Sequence, residues 1–153
     1  MRYWLMKSEP DEFSIDDLVR AKGQTTSWFG VRNYQARNFM REMKLRELAL
    51  FYHSSCPEPG IAGIVEISRL AHPDVTQFDP KSDYYDAKSP KDDPRWWNVD
   101  VKLVRKTRLV PLAEMRAEPA LADMITLRRG NRLSITPVTA AEWKAVEKLV
   151  ARE

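Results

Sequence analysis

Between Ser27 and Met40 the chain joins an aromatic, glycine-containing loop, Ser27-Trp28-Phe29-Gly30-Val31, to a basic segment, Arg32-Asn33-Tyr34-Gln35-Ala36-Arg37-Asn38-Phe39-Met40. That combination suits recognition of a nucleic acid, because an indole offers a face on which a base stacks and guanidinium groups neutralise phosphate. Gly30 has no Cβ, so the backbone can turn tightly there or a ligand can come close. Asn33 is placed to cap a helix from Tyr34 to about Lys44, accepting from backbone N–H groups that would otherwise be orphaned. On that helix Ala36, Phe39, Met40 and Met43 fall on one side, and Tyr34, Arg37, Asn38, Arg41 and Lys44 on the other. The first stripe would be buried and the second presented to phosphates. The competing reading is purely structural, with the tryptophan in the core and the cations as solvated surface.

Two further groups of chemically capable residues stand at the ends of apolar runs. Arg2 to Lys7 reads as a strand that stops at Lys7-Ser8-Glu9-Pro10, since Pro10 cannot donate to a ladder. Leu48-Ala49-Leu50-Phe51-Tyr52 is almost wholly apolar, as befits a central strand, and runs into His53-Ser54-Ser55-Cys56-Pro57. Lys7, Glu9 and a hydroxyl such as that of Ser54 contain the parts of a proton-transfer set. His53 and Cys56 invite a nucleophile–base reading that lacks a third, orienting group; Cys56 reads more simply as a small buried residue. His53, Cys56 and His72 are too few to hold zinc, and five singly scattered glycines make neither a phosphate-cradling loop nor a dinucleotide fingerprint. No metal and no cofactor is expected.

The elements that must position these groups fit one domain over residues 1–153, α+β in class. A chain of this length buries roughly 70% of its unfolded surface without disulfides. The net charge of +3 and pI near 9.0 are compatible with a polyanionic partner without demanding one. One cysteine, and an N-terminal apolar stretch too short for a signal peptide, point to a reducing, cytoplasmic setting. No run approaches the roughly 18 apolar residues of a membrane span, so no membrane partner is expected.

Ser14 opens a short helix that Gly23 stops. Pro57-Glu58-Pro59-Gly60 turns into a strand from Ile61 to Leu70, with Gly63 at a bulge or close approach, pairing hairpin-fashion with the strand before it. From His72 to Pro94 runs a long loop, read as a lid or as an insertion, with space for one helical turn. In Trp96 to Val104, strict alternation sends Trp97, Val99, Val101 and Leu103 inward and Trp96, Asn98, Asp100 and Lys102 to water, so Trp97 fits either core or pocket wall. Arg105-Lys106-Thr107-Arg108 follows, then a helix opened by Pro111, the basic turn Arg128-Arg129-Gly130-Asn131-Arg132, and a short strand Leu133-Ser134-Ile135. Thr139 to Glu142 is a capping box opening a last helix with Trp143, Val146, Leu149 and Val150 on one stripe. Trp4 and Trp143 are assigned to the core. Antiparallel neighbours and irregular alternation favour a mixed or barrel-like sheet over a doubly wound one.

The segments Tyr3-Trp4-Leu5-Met6-Lys7-Ser8-Glu9-Pro10, Trp28-x-Gly30-Val31-Arg32-Asn33-Tyr34-Gln35-Ala36-Arg37-Asn38, Phe51-Tyr52-His53-Ser54, Trp97-x-Val99-Asp100-Val101 and Arg129-Gly130-x-Arg132-Leu133-Ser134 together resemble the EVE domain family. The resemblance implies a PUA-like fold, a sheet curled into a barrel with flanking helices, related to the YTH domains that bind methylated adenine in RNA. It implies binding of a modified base, with modified cytosine in DNA as the ligand class and modified RNA as the alternative polymer. The pocket so implied is formed around Lys7, Ser8, Trp28, Asn33, His53, Ser54 and Ser55; strand alternation, not the resemblance, adds Trp97 as a candidate wall. Arg32, Arg37, Arg41, Arg105, Lys106, Arg108, Arg129 and Arg132 are the candidate phosphate contacts. Stacking a base is worth about 1–3 kcal/mol and extracting it from a duplex costs a few, so phosphate contacts must supply the surplus and binding should be weak and salt-sensitive. The rival classes are an amidohydrolase of acylated or modified nucleosides, using Lys7, Glu9 and Ser54, and a protein-interaction module using the aromatics of Phe78 to Tyr85.

Overall fold

In the computed structural model, which describes residues 1–152, the apolar segment Leu48–His53 forms a strand (β3) with neighbours on both sides. The other strands are Tyr3–Ser8 (β1), Thr25–Ser27 (β2), Gly60–Pro73 (β4), Trp97–Pro111 (β5) and Ile135–Val138 (β6). They make one mixed sheet in the order β2-β5-β4-β3-β1-β6. Four α-helices accompany it: Ile15–Arg20 (α1), Tyr34–Glu42 (α2), Leu112–Ala117 (α3) and Ala140–Val150 (α4). The edge strands β2 and β6 do not pair with each other, so the sheet is open where a barrel would close.

The pairing that matters most for function is one the expectation of antiparallel neighbours does not contain. β1 and β3 are parallel, in register from Tyr3 opposite Leu48 to Ser8 opposite His53. Parallel neighbours need a long crossover, and α1, β2 and α2 supply it. Both polar strand ends therefore emerge side by side. Alternation along these strands splits the core in two: Trp4, Met6, Ala49 and Phe51 pack against Ile15, Leu18, Ala36 and Met40. Leu5, Leu50 and Tyr52 pack against Met115, Trp143, Val146 and Leu149 on the other face. The helix starts follow the sequence closely, with capping boxes at Ser14–Asp17 and Thr139–Glu142 and Asn33 capping α2.

β4 and β5 are longer than expected, and their antiparallel register shifts at several points, as bulges that bend a sheet require. Gly63 sits at one of these shifts, where a Cβ would lie 2.5 Å from Cδ1 of Ile15. Its role is close approach between α1 and the sheet. The basic cluster Arg105 to Arg108 lies inside β5 rather than beyond it. Trp96 and Asn98 are buried, against the expectation that they face water. The segment 74–95 covers them: after one 3-10 turn at Val75–Phe78, buried Gln77 donates from Nε2 to the carbonyls of Asp74 and Trp96. Its Oε1 accepts from the Ser89 hydroxyl and from Trp96 N–H, and the Trp96 indole donates to Asp86. The long loop is thus pinned to the body. Among the described residues no helix is long and apolar enough to cross a membrane.

Candidate nucleic-acid interface

A cavity of about 760 Å³ opens where β1 and β3 end, within the range of roughly 300–1,000 Å³ that suits small ligands. The parallel pairing carries Lys7 and Ser8 to one side of it and Ser54 and Ser55 to the other, tied by the Ser54 N–H donating to the Ser8 carbonyl at 3.0 Å. The Lys7 N–H donates to the Ser134 carbonyl at 2.8 Å, which anchors the segment holding Arg132 on the same rim. The Ser8 hydroxyl donates to the Phe13 carbonyl at 2.6 Å and keeps its lone pairs for a further donor. Lys7 has no carboxylate within 4.0 Å among the described residues, and burial pushes its ammonium below its ordinary value of 10.5. An unpaired, half-buried cation favours an anionic or carbonyl oxygen as its partner.

The aromatic wall comes from the Trp28 loop and is held by a single carboxylate. Trp28 continues the edge pairing of β2, donating its N–H to the Val99 carbonyl at 2.8 Å. Its indole is 7% exposed and meets Phe51 edge-on, ring centroids 5.3 Å apart, while also lining the cavity. Phe29, next along, projects outward and is 49% exposed. Gly30 then takes φ +86°, and a Cβ there would meet the Tyr84 ring at 2.8 Å, so both backbone angle and space call for glycine. Asp74, buried beneath the loop, accepts from the Gly30 N–H at 2.8 Å, from Arg32 at 3.0 Å and from the N–H and hydroxyl of Thr76. Burial pushes the Asp74 carboxyl up, and the bonds from Thr76, Gly30 and Arg32 together outweigh it and hold the group below 3.8. Tyr84, from the long pinned segment, forms the facing wall. Burial, with the Glu12 carboxylate that accepts its hydroxyl, pushes its phenol up to about 12.

Of the residues expected at the pocket, Lys7, Ser8, Trp28, Ser54 and Ser55 line the cavity, whereas Asn33, His53 and Trp97 do not. Asn33 is occupied as the cap of α2, accepting from Ala36 N–H at 2.9 Å. Trp97 is neither core nor cavity wall: the Arg41 guanidinium lies 5.1 Å from its ring centre, and the two share a separate hollow of about 430 Å³ with Leu70 and Ala71. His53 accepts from the Ile15 N–H at 3.1 Å through Nε2, which fixes the start of α1 and takes that nitrogen away from any partnership with Cys56. Cys56 itself is half-exposed rather than buried.

Burial lowers the His53 pKa from 6.5, so the folded state binds fewer protons than the unfolded chain in the window below that value. The His53 contribution is present above pH 6.5 and is lost as pH falls through the lowered folded value. His53→Gln keeps an acceptor for Ile15 without titrating. Its urea midpoint should therefore decline less than that of the wild type between pH 7 and about pH 5; parallel declines would remove His53 from the account.

The expected phosphate contacts also divide. Arg32 is spent within the protein, donating to Asp74, Thr76 and the Tyr84 carbonyl, and Arg108 is spent far from the cavity on Glu114 and the Leu149 carbonyl. Sequence marks both as basic and does not reveal these internal acceptors. Lys106 pairs at 2.6 Å with Asp16 in an exposed contact, and Arg37 donates to the Arg95 carbonyl while lying 4.7 Å over Tyr34. Arg41, Arg105, Arg129 and Arg132 make no salt bridge among the described residues, and all four are exposed. Sequence reasoning missed Phe13, Glu9 and Glu12 as cavity residues for base recognition, together with Phe29 and Tyr84 as its rim. An aromatic directly beside Trp28 was the available signal for Phe29; Tyr84, 55 residues later in an irregular segment, carried none. No group of three or more His, Cys, Asp or Glu side chains able to hold a metal occurs among the described residues.

The comparisons with known proteins cover nearly the whole molecule. The EVE domain family model matches residues 2–149. Human thymocyte nuclear protein 1 is 48% identical over 169 residues, spanning 99% of this chain and 75% of its own length. A crystal structure of human THYN1 protein in complex with 5-methylcytosine-containing DNA matches with TM-score 0.95 and 46% identity, covering 100% of this chain and 99% of that one. A crystal structure of a Pseudomonas syringae protein matches with TM-score 0.92 and 49% identity, covering 96% and 98%.

Proposed function

The chain belongs to the EVE domain family, and we propose that it is a binding module for a modified nucleobase, a flipped 5-methylcytosine or 5-hydroxymethylcytosine in DNA. The observation that carries the reading is the cavity itself, which brings Trp28 together with hydroxyls and an unpaired ammonium within one small volume. The bound DNA of the similar human protein supports the choice of ligand. In this reading Lys7, Ser8, Trp28, Ser54 and Ser55 touch the base, and Arg132 with Arg129, Arg105 and Arg41 meets phosphate.

A methyl group adds only about 0.8 kcal/mol when buried, and thymine carries the same methyl, so recognition of methylcytosine needs an acceptor for the exocyclic amine as well. Carboxylates accept from that amine, and Glu9 lines the cavity without a salt-bridge partner among the described residues. Flipping costs a few kcal/mol and stacking returns about 1–3, which leaves affinity to the cations and makes it fall with salt.

The testing experiment is fluorescence anisotropy with duplexes that differ at one cytosine, unmodified, methylated or hydroxymethylated, beside matched RNA, at two salt concentrations. Tighter binding of a modified duplex over a salt-sensitive background is the expected result. Equal binding of all duplexes sinks the base-pocket reading, and preference for modified RNA moves it to the other polymer. One observation favours a second reading, an amidohydrolase of modified nucleosides: Lys7, Glu9 and Ser54 line the same cavity. Turnover of acylated nucleosides that disappears in Lys7→Ala would establish it in place of the reader.

A further inference from the structure

The step from Trp28 to Phe29 sends two neighbouring aromatic rings in opposite directions at one rim. Because Trp28 extends the pairing of β2 through its N–H on Val99, the strand's alternation carries its indole inward, and Phe29 outward. The Phe29 ring is 49% exposed while its backbone is held on both sides, by the Trp28 N–H on Val99 and the Gly30 N–H on Asp74. Asp74 grips the Gly30 N–H at 2.8 Å, and the Phe29 ring meets the Tyr84 ring edge-on at 5.9 Å between centroids. The protein thus keeps a rigid apolar side chain standing at the mouth of its polar cavity.

We propose that Phe29 is a wedge that enters the duplex and fills the gap vacated when the modified base swings into the cavity. The inference rests on the flipped-base reading above and adds a role the cavity does not itself require. Removing a base from a duplex leaves its two stacking neighbours and its former partner facing a void, and apolar side chains, Phe among them, do insert between base steps of a duplex. Phe29 has the geometry for this. It directly follows the residue that would stack on the extruded base, so both rings act within one nucleotide step, and Arg132 on the cavity rim offers a cation for the flanking phosphate.

The test compares wild type, Phe29→Ala and Phe29→Leu on the same modified-cytosine strand presented as a duplex and as a single strand, with unmodified strands as controls. A single strand needs no unpairing and leaves no gap. The expected result is that Phe29→Ala weakens duplex binding at least about tenfold and single-strand binding less than about twofold, while Phe29→Leu, which retains an apolar wedge, recovers much of the duplex loss. Equal losses on both substrates would make Phe29 a cavity wall and overturn the wedge. No loss on either would make it a spectator, with the same consequence. A wild-type protein that fails to prefer the modified strand in single-stranded form would instead overturn the base-reading premise, an outcome separate from those two.

Discussion

Asp74→Ala is expected to cost about 3–5 kcal/mol of folding stability, read as a drop in the urea midpoint at unchanged slope, because it removes the buried carboxylate that pairs with the partly buried Arg32 cation. The magnitude follows from what the carboxylate holds. Its side chain is 1% exposed against 22% for that of Arg32, and its two oxygens serve Arg32, Gly30 and Thr76 together. Alanine leaves the Gly30 N–H and the Thr76 N–H without their acceptor, a separate penalty of about 1–3 kcal/mol for a buried donor. Arg32 retains the Tyr84 and Val31 carbonyls, which places the expected cost toward the lower end of the range.

The pH dependence of the same contact has a definite sign. The folded carboxyl is held below 3.8, so its stabilisation is fully present above that value and is lost as pH falls through the lower, folded one. Asp74→Asn should accordingly differ from wild type by a constant amount at neutral pH and converge with it in strong acid. A difference that persisted unchanged through acid would mean that the charge of Asp74 contributes nothing. Binding should fail along with stability in Asp74→Ala even at temperatures where the variant is folded, since the carboxylate fixes Gly30 and through it the aromatic loop.

The sequence made the elements legible wherever one local rule decided them. Ser14, Asn33 and Thr139 cap the helices that their chemistry announces, and the inward stripe that the period gives, Ala36, Phe39 and Met40 on α2 with Met43 just past its end, packs on the core. Leu48 to His53 is central because an apolar run must be covered on both faces. Failure came where a second segment, distant in sequence, completes the environment. Alternation put Trp96 and Asn98 in water, and Gln77, Ser89 and Asp86 cover them instead. The sequence reading puts Asn33 and His53 in the pocket beside residues that do line the cavity, yet each makes a backbone hydrogen bond that occupies its side chain. The identity of strand-end residues was visible; that β1 and β3 run parallel, and so place Lys7, Ser8, Ser54 and Ser55 together, depends on a crossover that no window of sequence contains.

Trp28→Ala is expected to have the second large effect, and its two components separate by experiment. Truncating a buried tryptophan removes the ring that packs edge-on against Phe51 and leaves a void beside the core, a change that typically costs about 3–5 kcal/mol. Loss of a base-stacking face costs about 1–3 kcal/mol of binding in addition, or roughly 5- to 150-fold in Kd. Trp28→Phe keeps an aromatic face and part of the packing volume, so it should retain more of both. In the anisotropy assay, at temperatures where each variant is folded, Trp28→Ala should abolish the preference for modified over unmodified cytosine while the salt-dependent background survives, because Arg41, Arg105, Arg129 and Arg132 are untouched. Should the preference survive in a folded Trp28→Ala protein, the indole is core packing alone and the base must stack elsewhere, with Tyr84 as the remaining wall to test. Should preference and background fall together, the variant has lost the geometry of the whole rim, and Trp28→Phe then decides between a stacking and a structural role: a regained preference at wild-type background assigns stacking, and a regained background without preference assigns packing.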